Sequence, residues 1–195
     1  MASGHPCAAL VPVRDFDTGK SRLAGALSGE ARAGLGRWML ECVLKALKGA
    51  RGIDEIAVIS DGSSVLALSD SLGAAGIRCP ARDLNDDLEA GRRWALERNA
   101  RMILIVPADL PALEPSDVEA MLAEGEKNNP PGGRAVLAPS PDGGTNGLLL
   151  EPPGGLPFSF GLGSFERHRA AALAEGLDFF RFENPGFSLD VDTPA

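Results

Sequence analysis

Three aspartates have the chemistry to share a divalent cation. Asp109 follows a continuous apolar run at residues 102–106, and Asp190 and Asp192 are separated by one residue near the C-terminus. In an extended chain, residues i and i+2 face the same way, so these two carboxylates repel each other unless a cation or a proton lies between them. Mg2+ takes oxygen ligands and commonly uses one or two carboxylates together with substrate phosphates. The three aspartates therefore predict a Mg2+ site; the alternative for the pair is a solvated turn.

A basic loop (residues 14–22) contains Arg14, Lys20 and Arg22 and follows the first apolar run of the chain. Gly19-Lys20-Ser21 within it is similar to the end of a P-loop, but the P-loop pattern requires a glycine where this chain has Arg14. Lysine offers phosphate a mobile point charge and arginine offers a bidentate fork. The basic loop therefore predicts polyphosphate binding without a P-loop; the alternative is a solvated loop.

Two glycine-rich segments in the C-terminal half have features of an anion site. The first glycine turn covers residues 142–147 and contains Thr145, and the second covers residues 160–164 and ends at Ser164. Glycines let backbone N–H groups approach a ligand closely, and Ser164 is predicted to cap a helix whose N-terminus attracts anions. An ordinary hairpin turn and an ordinary helix cap are the alternatives. His168, one helical turn after Ser164, is interpreted as structural.

The elements that must position these residues alternate between strand and helix. Apolar runs predict strands at residues 8–13, 55–59, 77–79, 102–106, 135–138, 148–150 and 179–182. Apolar spacing and capping residues predict helices after Ser28, over 64–72, over 86–97 with Asn85 as cap, from a capping box at Ser116, and from Ser164 to Glu175. The pattern predicts one domain, residues 1–195, folded as a three-layer α/β sandwich with a mostly parallel sheet. Ligands of such sheets bind beyond the carboxyl ends of the strands, where the loops described above fall.

The composition argues against several classes of protein. A formal net charge of −8 over 195 residues argues against nucleic-acid binding, and no apolar run approaches the roughly 20 residues that span a membrane. The N-terminus lacks a charged segment followed by an apolar one, so we expect a cytoplasmic protein without a secretory signal. Cys7, Cys42 and Cys79 are odd in number and contain no C-x-x-C, which predicts free thiols.

In their order along the chain, these segments resemble one family, the guanylyltransferases of deazaflavin coenzyme biosynthesis. The matching segments are L-V-P-V-R…K-S-R-L at 10–23, D-L-N-D-D-L at 83–88, V-P-A-D-L-P-A-L at 106–113, G-T-N at 144–146, F-G-x-G-S-F-x-x-H at 160–168 and D-V-D-T-P at 190–194. The resemblance implies a nucleotidyltransferase fold related to sugar-nucleotide pyrophosphorylases. It also implies transfer of GMP from GTP to phosphoenolpyruvate, 2-phospho-L-lactate or 3-phosphoglycerate, with release of pyrophosphate. An Ala-, Gly- and Arg-rich composition favours phosphoenolpyruvate by association.

The resemblance also implies a role for each group of candidate residues. The residues implied to bind the nucleotide are Arg14, Lys20, Arg22 and Asn85, with Asn85 facing the nucleoside. The residues implied to bind the phosphate or carboxylate of the acceptor are Thr145, Gly161 and Ser164. Mg2+ is implied at Asp109, Asp190 and Asp192. No general base is expected, because a phosphomonoester with a second pKa near 6 is already ionised at pH 7.

Two other functions remain open from the sequence. One is a nucleotidyltransferase of the same fold that acts on a molybdopterin or a sugar phosphate, although such enzymes usually carry a glycine-rich first loop. The other is a nucleotide-binding regulatory protein without turnover, in which three metal-binding carboxylates would have no task. The first glycine turn is one residue shorter than the D-G-x-G-T-N of the family, which affects where Thr145 points. The residues do not identify guanine or an oligomeric state.

Overall fold

The computed structural model describes residues 6–80, 83–126 and 131–191. Their strands are β1 (Cys7–Pro12), β2 (Glu55–Ser60), β3 (Ala75–Arg78), β4 (Met102–Ile105), β5 (Arg134–Pro139), β6 (Thr145–Glu151) and β7 (Asp178–Arg181). They form one sheet in the order β3-β2-β1-β4-β6-β5-β7. Of these seven strands, β6 alone runs opposite to the others, pairing antiparallel with both β4 and β5. The predicted mostly parallel sheet is confirmed.

Helices cover both faces of the sheet. They are α1 (Gly29–Gly49), α2 (Ser63–Ser71), α3 (Leu84–Glu97), α4 (Pro115–Ala123), α5 (Ser164–Ala174) and α6 (Pro185–Ser188). Buried residues of α1, α2, α4 and α6 pack in one apolar cluster, and those of α3 and α5 pack in a second cluster on the opposite face. This is the predicted three-layer sandwich. None of the helices in the described ranges is long and apolar enough to cross a bilayer.

The central strand β4 is buried on both faces of the sheet, which explains the continuous apolar run at residues 102–106. Met102 and Leu104 point into the first cluster, whereas Ile103 and Ile105 point into the second, and all four are buried. A strand covered on both faces cannot alternate apolar and polar residues. The chain leaves β4 at Val106, and Asp109 follows at the carboxyl edge of the sheet.

Helix α3 lies unusually close to the sheet because of Gly91. A Cβ atom at Gly91 would lie 2.5 Å from Cδ1 of Ile59 and 3.2 Å from Cδ1 of Leu10. Any side chain would therefore push α3 away from β1 and β2. The close packing sets the position of the N-terminal turn of α3 beside the carboxyl ends of these strands.

Three predicted helix caps are wrong in position. Helix α3 is capped by Asp83, whose Oδ1 accepts from the backbone N–H of Asn85 at 2.7 Å, so Asn85 is inside the helix. Helix α4 is capped by Glu114, whose N–H donates to Asp117 Oδ2 at 2.9 Å; the helix begins at Pro115, so Ser116 is already inside it, and Glu119 pairs with Arg51.

At α5 the cap is Gly163, in a left-handed conformation with φ 67°, and Ser164 is the first helical residue. The hydroxyl of Ser164 does not cap the helix because it is hydrogen-bonded to Thr145. By contrast, Ser28 caps α1 as predicted, its Oγ accepting from the N–H of Ala31 at 3.2 Å. The three cysteines are free thiols, also as predicted.

Candidate active site

An open cleft of about 500 Å3 lies at the carboxyl ends of β1, β2 and β4. The basic loop after β1 supplies Arg14, Lys20 and Arg22 to its lining, and the segment after β4 supplies Asp109. Phe160, from the second glycine turn, also lines the cleft. The predicted ligand edge of the sheet is thus a cavity, and four of the predicted site residues line it.

The basic loop is folded against the end of β2. The N–H of Asp15 donates to Oδ1 of Asp61 at 3.2 Å, and the backbone oxygen of Asp15 accepts from the N–H of Gly19 at 2.8 Å. Phe16 is buried beneath the loop, and Cζ of the Arg37 guanidinium lies 5.3 Å from the centroid of the Phe16 ring. These contacts hold the loop in a compact turn that presents its basic side chains to the cleft.

Lys20 and Asp109 meet inside the cleft. Lys20 Nζ donates to Asp109 Oδ2 at 2.7 Å, and their side chains are only 15% and 23% exposed. Lys20 has a left-handed backbone conformation, with φ 51°. The pair joins a predicted phosphate-binding cation to a predicted metal-binding carboxylate, so both lie at one position of the cleft.

The C-terminal segment returns to the same place. The N–H of Val191 donates to the backbone oxygen of Asp109 at 3.2 Å, which brings Asp190 beside the segment after β4. Asp192 lies outside the described residues, and no group of three potential metal ligands forms within the described ones. Asp109 and Asp190 carry the hard oxygen donors that Mg2+ prefers. Asp109 Oδ2 is paired with Lys20 Nζ at 2.7 Å in the described residues, so Mg2+ at these carboxylates stays a prediction.

The predicted acceptor residues form a buried polar cluster with His168. Thr145, the first residue of β6, is 6% exposed, Ser164 is 1% exposed, and His168 is fully buried. Thr145 Oγ1 lies 2.9 Å from Ser164 Oγ and 3.2 Å from His168 Nδ1. His168 Nε2 accepts from the backbone N–H of Ser159 at 2.9 Å. Burial, with a smaller effect of the positive charge of Arg167, lowers the pKa of His168 to about 4, so the ring is neutral at pH 7.

The two glycine turns contact each other through Thr145 and Ser164, and the first lies near the basic loop. The N–H of Phe165, one residue after the second turn, also donates to the backbone oxygen of Gly143 at 3.3 Å. Hydrogen bonds from the Ser140 hydroxyl and the Gly144 N–H lower the pKa of Asp142, and the positive charge of Arg22 lowers it further. Gly161 has a φ of 123°, which L side chains rarely adopt. These contacts relate the acceptor residues to the basic loop.

Asn85 connects α3 to the second glycine turn. Its Oδ1 accepts from the N–H of Phe160 at 2.7 Å, and its Nδ2 donates to the oxygen of Phe160 at 3.4 Å. The Phe160 ring in turn packs edge-on against the His168 ring, with the ring centroids 4.7 Å apart. The amide of Asn85 is therefore committed to positioning the turn. The nucleoside contact implied for Asn85 stays a prediction.

Sequence reasoning missed an acidic part of the cleft wall, formed by Asp61, Asp83 and Asp87. Burial raises the pKa of Asp87, and the negative charge of Asp61 raises it further. Asp61 follows β2 just as Asp109 follows β4, so the rule that singled out Asp109 also applied to Asp61. Asp83 and Asp87 could not be found in this way, because they depend on how closely α3 approaches the sheet.

The chain is similar in sequence and in fold to several known proteins. Residues 7–195 match the family described as "Guanylyl transferase CofC like". A phosphoenolpyruvate guanylyltransferase of Rubrobacter xylanophilus is 47% identical over 188 residues, which are 95% of this chain and 89% of the relative. A 2-phospho-L-lactate guanylyltransferase of Methanothermobacter thermautotrophicus is 36% identical over 95% of this chain and 79% of its own. Among solved structures, a nucleotidyl transferase from Methanothermobacter superposes with a TM-score of 0.68 at 16% identity, covering 97% of this chain and 93% of the other.

Proposed function

The chain belongs to the family of CofC-like guanylyl transferases, and from this premise we propose that it transfers GMP from GTP to phosphoenolpyruvate. The observation that carries the proposal is the cleft itself. Basic side chains line it together with Phe160, and the Phe160 ring packs on His168, which is bonded to the buried hydroxyl pair of Thr145 and Ser164. The cleft thus has a basic part for one anionic substrate, and we assign the second substrate to the side of Phe160. We place the reaction in deazaflavin coenzyme biosynthesis, in the cytoplasm.

The reaction needs positioning more than acid–base chemistry. A phosphate oxygen of the acceptor attacks the α-phosphorus of GTP in line, forming a new P–O bond while the bond to the β-phosphate oxygen breaks and pyrophosphate leaves. The attacking oxygen is ionised at pH 7, so no side chain has to remove a proton. The enzyme must bring two anions together and neutralise them, which supplies most of the rate enhancement in such transfers.

The basic loop is suited to the triphosphate. Arg14 and Arg22 can bind phosphate oxygens through two N–H groups, and Lys20 supplies a charge that is largely shielded from water. Because Lys20 is only 15% exposed, its charge acts through a less polarisable medium than a surface lysine would. We propose that these three side chains bind GTP.

The second glycine turn is suited to the acceptor. Helix α5 begins at Ser164, so the positive end of the helix dipole lies at this turn, while the N–H groups of Ser164 and Phe165 already donate to the backbone oxygens of Gly161 and Gly143. In a protein of net charge −8, a small acceptor with two anionic groups needs such a local positive site. We assign the phosphate or carboxylate of the acceptor to Thr145, Gly161 and Ser164.

Mg2+ is part of the proposal. Asp109 and Asp190 would hold it together with Asp192. When bound, Mg2+ neutralises phosphate charge and stabilises the leaving pyrophosphate.

The experiment is a pyrophosphate-release assay with each of the four nucleoside triphosphates against phosphoenolpyruvate, 2-phospho-L-lactate and 3-phosphoglycerate. We expect release with GTP and phosphoenolpyruvate. Equal release with ATP, or release only with a sugar phosphate or molybdopterin, would overturn the assignment. Binding of GTP without turnover of any acceptor would indicate the regulatory alternative.

A Ser164→Ala variant tests the assignment of the two half-sites. Loss of one hydrogen bond to a charged group costs roughly 1.5–3 kcal/mol, which raises the KM of the acceptor about tenfold to a hundredfold. The KM of GTP should change little. Ser71→Ala is the matched control, because the Ser71 hydroxyl donates to the backbone oxygen of Leu68 at the exposed end of α2. A raised KM for GTP with an unchanged acceptor KM would reverse the two half-sites.

A further inference from the structure

His168 is fully buried behind the cleft, and its two ring nitrogens have different kinds of partner. Nε2 faces the backbone N–H of Ser159 at 2.9 Å, and Nδ1 faces Thr145 Oγ1 at 3.2 Å. Thr145 Oγ1 continues to Ser164 Oγ at 2.9 Å. Four groups from three separate segments thus form one continuous chain of hydrogen bonds that ends at the start of α5.

The direction of this chain follows from its first member. A backbone N–H can only donate, so Nε2 of His168 must accept and carries no proton. The neutral ring then carries its proton on Nδ1, where it donates to Thr145 Oγ1. Protonation of Nε2 would set two N–H groups against each other, so the surroundings hold the ring in the neutral Nδ1–H form.

The same direction continues through the two hydroxyl groups. Thr145 Oγ1 accepts from His168 Nδ1, and among the described residues Ser164 Oγ is its other hydrogen-bond partner, so the buried Thr145 hydroxyl satisfies its own hydrogen by donating to Ser164 Oγ. Ser164 accepts that bond, which leaves its hydrogen as a donor to a further group. Each hydroxyl polarises the next, because hydrogen bonds in such chains strengthen one another where the local dielectric constant is low.

We propose that His168 is a positioning residue that makes the Ser164 hydroxyl a donor to an anionic oxygen of the acceptor. The inference rests on the proposed function, in which Ser164 binds the acceptor. A carboxylate or phosphate oxygen only accepts hydrogen bonds, so it matches a hydroxyl that is set to donate. An acceptor analogue that carries a carboxamide instead of the carboxylate would bind less well. The reason is that hydrogen bonds to ionised acceptor groups are about twice as strong as those to neutral groups.

Two substitutions of His168 separate its two hydrogen bonds. Asparagine places an amide near the position of Nδ1 and can still donate to Thr145, but it loses the acceptor for Ser159. Glutamine reaches the position of Nε2 and can accept from Ser159, but it loses the donor to Thr145. We expect His168→Gln to raise the acceptor KM roughly tenfold over the wild type with the KM of GTP unchanged. His168→Asn should have an acceptor KM close to that of the wild type.

A second pair of variants tests the hydroxyl in the middle. Thr145→Val breaks the chain, whereas Thr145→Ser retains the hydroxyl. If the two residues act through one chain, the acceptor KM of Thr145→Val should rise no further when His168→Gln is added. Independent, multiplying effects would overturn the inference, as would equal acceptor KM values for His168→Gln and His168→Asn.

The tautomer of His168 gives a measurement that does not need activity. Two-bond nitrogen–proton correlation NMR on the unliganded protein distinguishes Nδ1–H from Nε2–H. His168→Gln identifies which of the two histidine signals belongs to the buried ring. An Nδ1–H ring supports the proposal, and an Nε2–H or doubly protonated ring at pH 7 overturns it.

The two proposals fail in different ways. Active enzyme whose His168→Gln variant keeps the wild-type acceptor KM refutes the role of His168 alone. Wild-type protein that turns over none of the acceptors refutes the proposed function and the acceptor contact of Ser164 together. In that case an Nδ1–H ring would still support the direction of the hydrogen-bond chain.

Discussion

Removal of the Asn85 side chain should weaken acceptor binding rather than GTP binding. Asn85→Ala deletes the 2.7 Å bond from the Phe160 N–H and the 3.4 Å bond to the Phe160 oxygen. These are the contacts by which α3 holds the second glycine turn. The turn carries Gly161 and leads into Ser164, so the loss should appear in the acceptor half of the reaction.

The magnitude follows from the two distances. The 2.7 Å bond is well within the normal range, whereas the 3.4 Å bond is long and contributes less. At about 1 kcal/mol for the first and about half of that for the second, Asn85→Ala costs about 1.5 kcal/mol. This corresponds to roughly a tenfold fall in kcat/KM for the acceptor.

Asn85→Asp is the matched variant, because its carboxylate retains an acceptor for the Phe160 N–H while losing the donor. We expect a smaller fall than for Asn85→Ala. The assay is steady-state pyrophosphate release, with the acceptor varied at saturating GTP and then GTP varied at saturating acceptor. A raised KM for GTP with an unchanged acceptor KM would refute the structural reasoning and favour the nucleoside contact implied by the family resemblance.

Three further predictions concern the metal, the packing of α3 and the dependence of stability on pH. Asp109→Asn, or EDTA added to the wild type, should nearly abolish pyrophosphate release with an unchanged circular dichroism spectrum; activity that survives both would remove the Mg2+ site. Gly91→Ala should lower the free energy of unfolding by about 1–3 kcal/mol in urea titrations, because its Cβ would lie 2.5 Å from Ile59; wild-type stability would show that α3 can shift freely. Burial lowers the pKa of His168 to about 4 in the folded state, so the unfolded chain binds this proton first, and stability should fall between about pH 6.5 and about pH 4. The stability of His168→Gln should lack this part of the pH dependence. Identical curves of unfolding free energy against pH for the variant and the wild type would contradict the role of His168.

The layers of the fold could be predicted because they depend on local patterns. The apolar run of β4 and the position of Asp109 after it follow from how a parallel sheet is buried. The caps of α3 and α5 could not be placed as well. In each case the predicted cap lies one or two residues after the observed one, and its side chain bonds to a distant element: Asn85 bonds to Phe160, and Ser164 bonds to Thr145.

The same limit applies inside the candidate site. Lys20 and Asp109 were each singled out by residue type and position, but their ion pair joins residues 89 positions apart and has no local signal. The chain of Thr145, Ser164 and His168 likewise links β6 to α5. The sequence predicts a structural role for His168, and the folded chain shows its partners to be Thr145 and Ser159.

The reversed direction of β6 has a consequence for how this enzyme family can diversify. Because β6 runs against its neighbours, its first residue, Thr145, and not its last lies at the carboxyl edge of the sheet beside the cleft. The link from β5 to β6 is then a short hairpin at that edge, whereas the basic loop belongs to β1 on the other side of β4. Hairpin loops tolerate changes in length without disturbing their strands. On the proposed assignment of the acceptor to Thr145 and of GTP to the basic loop, a change in the length of the hairpin would alter the acceptor site and leave the GTP site unchanged, and grafting hairpins between relatives would be a direct route to new acceptors.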